Sequence, residues 1–279
     1  MLKKTNKPLL YKRLDHYIRQ LLFNKSRFKY LRRLILRVSG RKPREPLRVE
    51  LTYNIPLRSH IYIYNAESYF YSGWAPYEYE VKRYLLEKAR NLKPCIFIDV
   101  GAFIGFYSLL LAGEGCDVIA FEPDPRSFKL LMHNIVIKGL QDRVMVINKA
   151  VCDRVSSTIE FKLAKKPDIS SSTTFLSEDH VEYRYLAPCT TLDSILSNLK
   201  PNINVIIKID VERGGLNVIR GGISTIERLK PHIALEVHRT FDVSDELLIL
   251  NLLKTYNYKW KILGMRDPRN FHVALEPPP

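Results

Sequence analysis

The stretch Cys95-Ile96-Phe97-Ile98-Asp99-Val100-Gly101-Ala102-Phe103-Ile104-Gly105-Phe106-Tyr107-Ser108-Leu109-Leu110-Leu111-Ala112 decides the fold. Its opening residues are apolar without strict alternation, the pattern of a strand covered on both faces, and its closing residues fit a helix. Two glycines at the turn between them let a ligand approach backbone N–H groups at the helix N-terminus. Similar short apolar runs follow at Val118 to Phe121, Val144 to Ile147, Val205 to Ile209 and Ile233 to Val237. Helical stretches fit between them. Asp124-Pro125 supplies one helix with a cap and a proline at its first position, and Gly139 closes it. The alternation predicts an α/β fold built on an open, doubly wound, mostly parallel sheet with right-handed crossovers. Lys259 to Leu263 and Phe271 to Leu275 flank a turn, so the sheet is expected to finish in an antiparallel hairpin. Residues 164–189, rich in Ser and Lys, have no clear period and read as a long loop.

The second strand ends at Glu122, 21 residues after Gly101. An acidic side chain there accepts hydrogen bonds from both hydroxyls of a ribose, so the glycine turn and Glu122 together point to a nucleoside-bearing cofactor. The dinucleotide fingerprint has a glycine where this chain has Phe103, because the backbone must touch a pyrophosphate there. S-adenosylmethionine carries a ribose and no phosphate. It suits Phe103 better than a dinucleotide does.

Five blocks strengthen this reading: Asp99 to Ser108, Ala120 to Pro125, Thr190 to Asp193, Lys208-Ile209-Asp210-Val211-Glu212 and Ala234-Leu235-Glu236-Val237-His238. In order and spacing they resemble the FkbM-type S-adenosylmethionine-dependent methyltransferases, over about residues 76–240. The resemblance implies the seven-stranded, Rossmann-like class I methyltransferase fold and transfer of a methyl group, usually to a hydroxyl of a sugar or natural product. It implies that Asp99, Gly101, Ala102 and Gly105 surround the methionine part of the cofactor. Glu122 and Pro123 would flank the ribose, and Asn148 to Ala150 the adenine. The chain departs from the family's pattern at Phe103, commonly Asn, and at Arg213-Gly214-Gly215, commonly Gly-Ala-Glu.

In open α/β sheets ligands sit beyond the carboxyl ends of the strands. Asp210 and Glu212 end the fourth strand, Glu236 and His238 the fifth. A methyl on sulfonium is already activated, so the chain must align the acceptor oxygen and remove or share its proton. His238 is the candidate base, because imidazole titrates near neutrality. Asp210, Glu212 and Glu236 are candidates to orient that base, hold sugar hydroxyls or ligate a hard divalent cation. Strand-capping contacts are the structural alternative for Glu236 and His238, and Lys208, on Asp210's face, is placed to pair with it. Thr190-Thr191-Leu192-Asp193 reads as ordinary helix capping.

Charge divides the 279-residue chain. Residues 1–48 hold 16 of the 44 basic and 2 of the 29 acidic residues, a net of +14 out of +15, leaving +1 for the remainder. From Leu10 to Val38 apolar residues recur at helical spacing among Lys and Arg, and Gly40, Pro43 and Pro46 interrupt the pattern. The expected organisation is a basic amphipathic helical arm and linker over 1–47, then a methyltransferase domain over 48–279. Within that domain an N-terminal hairpin and helix occupy 48–92 and the α/β core 93–279. An arm of this kind reaches an anionic membrane surface, or less readily nucleic acid. No apolar run is long enough to span a bilayer, and the N-terminus lacks a signal peptide's uninterrupted apolar region. Cys95, Cys116, Cys152 and Cys189 form no C-x-x-C pair and read as reduced core residues. Cytoplasmic residence, peripheral at the inner membrane surface, is expected. The acceptor expected is a hydroxyl on a sugar, glycan or glycolipid. An RNA methyltransferase, or a non-catalytic binding protein acting through the arm, are the alternatives.

Overall fold

A computed structural model describes residues 75–155, 157–164, 172–173, 181–211, 214–238, 244–267 and 270–279. The basic arm, its linker and the hairpin expected near 48–64 lie outside the described residues, as do Glu212 and Arg213.

In chain order the strands begin with β1 (Cys95–Val100), β2 (Asp117–Phe121), β3 (Val144–Ile147), β4 (Ala150–Val151), β5 (Thr158–Ala164) and β6 (Ser172–Thr173). They continue with β7 (Val181–Thr190), β8 (Asn204–Ile209), β9 (His232–His238), β10 (Lys259–Asp267) and β11 (Asn270–Glu276). Seven of them form one sheet in the order β10-β11-β9-β8-β1-β2-β3. All run parallel except β11, which is antiparallel to both its neighbours. The expected hairpin is present, with its second strand inserted between β9 and β10. The expected strand bounds hold to within a residue at each end in the parallel part of the sheet.

Helices cover both faces, and this explains the missing alternation in the parallel strands. On one side Phe97, Val118, Ile206 and Ala234 pack with Leu85 of α1 (Ala75–Asn91), Leu111 of α2 (Phe106–Gly113) and Leu131 of α3 (Pro125–Ile137). On the other, Ile98, Ile207, Ile209 and Leu235 pack with Leu192 of α4 (Leu192–Leu196) and Val218 of α5 (Gly215–Arg220). Ile226 of α6 (Ile223–Leu229) and Leu253 of α7 (Ser244–Thr255) complete that layer. The caps follow the sequence: Asp124 Oδ1 accepts from Arg126 N at 2.8 Å ahead of Pro125, and Thr191 Oγ1 accepts from Ser194 N at 3.1 Å. Asp193 caps a second helix, accepting from Thr225 N at 2.7 Å. The capping reading of Thr190 to Asp193 is therefore correct.

Two expectations need correction. Within 164–189, read as a loop, β7 runs from Val181 and pairs antiparallel with β5, giving a second sheet ordered β4-β7-β5-β6. The alternation Val181-Glu182-Tyr183-Arg184-Tyr185 carries the strand signal, and the Ser-rich residues before it obscured it. The cysteines are not reduced core residues. Cys95 is bonded to Cys116 and Cys152 to Cys189, leaving none free. Parallel pairing makes the first bond possible, since Ile96 stands opposite Asp117 and brings the preceding residues together. The second joins the residue after β4 to β7, its parallel partner.

Candidate active site

Gly101 and Gly105 shape the turn after β1, with φ of +82° and +93°. A side chain on Gly101 would strike the Asp210 carbonyl oxygen, and one on Gly105 the side chain of Leu131. Glycine here brings the ends of β1 and β8 together. The N–H groups of Gly101 and Ala102 both donate to the Phe121 carbonyl, at 3.0 and 2.9 Å, so the turn is tied to the end of β2. Phe103 adopts a φ of +50°, costly for a bulky residue, and its N–H points at Glu122 Oε2, 2.7 Å away.

Glu122 is thereby a bracket between two loops. Its Oε1 accepts from Asp124 N at 2.8 Å while Oε2 holds Phe103 N. Each carboxylate oxygen keeps a second lone pair for a ligand hydroxyl. Burial pushes the Glu122 carboxyl up to about 8, the Asp124 charge adds to this, and the two backbone donors oppose it. Asn148 is buried just past β3 and donates to the carbonyls of Glu122 at 2.8 Å and Pro123 at 3.0 Å, so its amide fixes the loop carrying both. Ala150 is buried in β4 opposite Cys189.

Asp99, almost wholly buried, accepts from Ser108 Oγ at 2.6 Å through Oδ2. Its other oxygen, Oδ1, is buried and has no hydrogen-bond partner among the described residues. Burial raises the Asp99 pKa, while Lys208 and Ser108 pull it down.

Strand register builds the opposite half. Asp99 stands opposite Lys208, and one step further Gly101 is level with Asp210. Ile209 stands opposite Leu235, which sets Asp210 level with Glu236, and Glu236 stands opposite His272 of β11. With a period of two, Asp99, Lys208, Asp210, Glu236 and His272 point to one face. Lys208 Nζ lies 2.5 Å from Asp210 Oδ2 and 4.7 Å from the Tyr107 ring centroid, a buried ammonium held by a carboxylate and an aromatic face. Burial pushes the Asp210 carboxyl up, but Lys208, a hydrogen bond from Glu236 and the nearby His272 more than reverse this and hold it well below the usual range. Asp210 stays ionised and, at 31% side-chain exposure against 3% for Lys208, is the open member of the group.

Of the expected site residues, Asp99, Gly101, Ala102, Gly105, Glu122, Pro123 and Asn148 gather at the ends of β1, β2 and β3, while Asp210 and Glu236 gather at the ends of β8 and β9. His238 is in β9 with its backbone opposite Asn270; its side chain and Glu212 lie outside the described residues. Sequence reasoning missed Ser108, Tyr107 and His272. The serine stood in plain view in the first motif, whereas nothing local links His272 to Glu236.

The methyltransferase FkbM domain model matches residues 99–260. The chain belongs to the FkbM methyltransferase domain family. The match takes in Asp99, Glu122, Asp210 and Glu236 with strands β2, β3, β8 and β9, and stops short of His272 in β11. Over 85 residues this FkbM-domain chain is 32% identical to a tRNA (guanine(37)-N(1))-methyltransferase of Xenopus tropicalis, a match spanning 30% of the chain and only 16% of that relative. The crystal structure of methyltransferase FkbM from Methylobacillus flagellatus aligns over 65% of the chain and 43% of its own, at 19% identity and a TM-score of 0.47. That of precorrin-6y C5,15-methyltransferase from Geobacter metallireducens aligns over 71% and 88%, at 13% identity and a TM-score of 0.42. No helix among the described residues is long and apolar enough to cross a membrane.

Proposed function

We propose that the chain is an S-adenosylmethionine-dependent methyltransferase acting on a hydroxyl oxygen of a sugar, glycan or glycolipid. Asp99 Oδ1 carries the cofactor half of this reading: it is buried, has no hydrogen-bond partner among the described residues and lies beside the glycine turn. A buried acceptor oxygen in that condition is costly unless a ligand donor meets it. The cofactor's amino group is such a donor, and the spare lone pairs of Glu122 suit its ribose diol. When bound, the cofactor supplies a methyl group already activated on sulfonium. The chain's residues do the rest. Asp210, kept ionised by Lys208, accepts from acceptor hydroxyls and orients them, and His238 is assigned the proton.

Carboxylates on the acceptor side favour a polyol over a polyanion, because Asp210 and Glu236 oppose the approach of a phosphate chain. The arm's +14 charge would hold the domain near an anionic membrane surface, where glycolipid hydroxyls are at hand. RNA is the second reading, favoured by the 85-residue similarity to a tRNA methyltransferase and by the same basic arm.

Calorimetry with S-adenosylmethionine tests the first step: Glu122→Ala is expected to weaken binding by about 1–3 kcal/mol, the scale of losing two hydrogen bonds. Wild-type affinity in that variant would remove the ribose role. Transfer of labelled methyl to fractionated extract then decides the acceptor, with label in glycan or glycolipid expected and label in RNA installing the second reading.

A further inference from the structure

The acceptor side assembles a donor set that includes His272, to which the methyl-transfer reading gives no role. Asp210 beyond β8, Glu236 in β9 and His272 in β11 each offer one ligand atom, and these atoms all lie within 4.8 Å of one another. Three separate strands bring them there, and Gly101, level with Asp210, adds no side chain to the row.

Two of the three are deeply buried: His272 is 0% exposed and Glu236 8%. His272 Nε2 and Glu236 Oε2 stand 4.0 Å apart. That is too far for a hydrogen bond between them. Two ligands sharing one divalent ion, each about 2.1 Å from it, are separated by roughly 3 to 4.3 Å, depending on the angle at the metal. Their spacing is thus one that a shared ion spans.

Charge points the same way. Glu236 and Asp99 are buried beside the Lys208–Asp210 pair, and a buried carboxyl group is costly to ionise unless a cation meets it. Lys208 engages Oδ2 of Asp210, and a carboxylate has a second oxygen.

We infer that Asp210, Glu236 and His272 form a binding site for one divalent transition-metal ion beside the ends of β8 and β9. One imidazole with two carboxylates suits Mn²⁺ or Zn²⁺ better than Ca²⁺. Three protein ligands leave coordination positions for water or an acceptor oxygen on the exposed side of Asp210. An oxygen bound there holds its proton less tightly. This role for the ion rests on the methyl-transfer reading, whereas the binding itself does not.

The test is titration of chelator-stripped, full-length protein with MnCl₂, counting free ion by electron paramagnetic resonance. One Mn²⁺ per chain is expected. Glu236→Gln and His272→Gln should each weaken binding by more than about tenfold. Asp210→Asn, at the open mouth, tests the same site if the buried variants fail to fold by circular dichroism. Absence of saturable binding by Mn²⁺ and Zn²⁺ in the wild type overturns the inference, as does unchanged affinity in the folded variants. S-adenosylmethionine calorimetry on the same sample separates the two claims. Cofactor binding without metal binding sinks only the metal site, and no cofactor binding sinks the methyltransferase reading whatever Mn²⁺ does.

Discussion

The two halves of the site are made of the same side chains held in opposite ways. Around β1, β2 and β3 the carboxylates of Asp99 and Glu122 lean on hydroxyl and backbone N–H donors, and Asn148 pins the loop behind them. Around β8, β9 and β11 the carboxylates lean on charge, with Lys208 at 2.5 Å from Asp210 and His272 beside Glu236. Backbone donors fix a geometry and leave lone pairs for a ligand that is always the same. Side-chain charges can be redistributed when a substrate or proton arrives. The difference marks one half as a socket and the other as the place where chemistry changes the charge.

The largest break in this comparison is expected at Asp210. Asp210→Asn should cut turnover by about 10²–10⁴-fold, the range for a lost acid–base or orienting group, while leaving S-adenosylmethionine affinity within twofold by calorimetry. Equal losses of both would mean that the halves are not separable.

The covalent contrast comes next. Both disulfides serve the cofactor half and the sheet beside it, and β8, β9 and β11 carry none. Replacing Cys95 and Cys116 together by Ser should lower unfolding free energy by about 3 kcal/mol for a loop of this length, measured by denaturant titration of oxidised protein. An unchanged midpoint would show that the bond contributes nothing to the fold in solution.

The smallest effect is a slope. Glu122 has its carboxyl raised to about 8 in the folded chain, from an ordinary 4.5. Folded chains therefore keep a proton that unfolded chains lose. That contribution to stability is whole below pH 4.5 and drains as pH rises towards 8, by at most about 1.4 kcal/mol per unit. Glu122→Gln should flatten the difference in unfolding free energy between pH 5 and 8 in ligand-free protein. A parallel decline in both proteins would remove Glu122 as the cause.

Most of the fold could be read before any coordinates, because parallel strands buried on two faces write uninterrupted apolar runs, as in Ile206-Ile207 and Ile96-Phe97-Ile98. The cofactor half was legible for a related reason: Gly101, Gly105 and Glu122 occupy turns whose geometry is local. The acceptor half was legible only in part. Asp210 and Glu236 end strands, so their positions followed from the sheet, but His272 meets Glu236 only through antiparallel register with β11. Cysteine pairing was hidden in the same way. Cys95 and Cys116 are neighbours because β1 and β2 are, and no spacing between them announces it.

The place of β11 has a consequence for the order of synthesis. Strands β1, β2 and β3 leave the ribosome early, and the socket they carry is complete once α3 and the residues after β3 have emerged. The sheet's other edge cannot settle so soon. Among the described residues β10 pairs with β11 alone, so this edge waits for β11 to enter between β10 and β9 and is sealed from the inside by a strand made after both. Pairings of this kind, made late and over long stretches of chain, are slow to form. A nascent chain thus passes through a stage in which the cofactor end is shaped while His272 is still missing from the acceptor end.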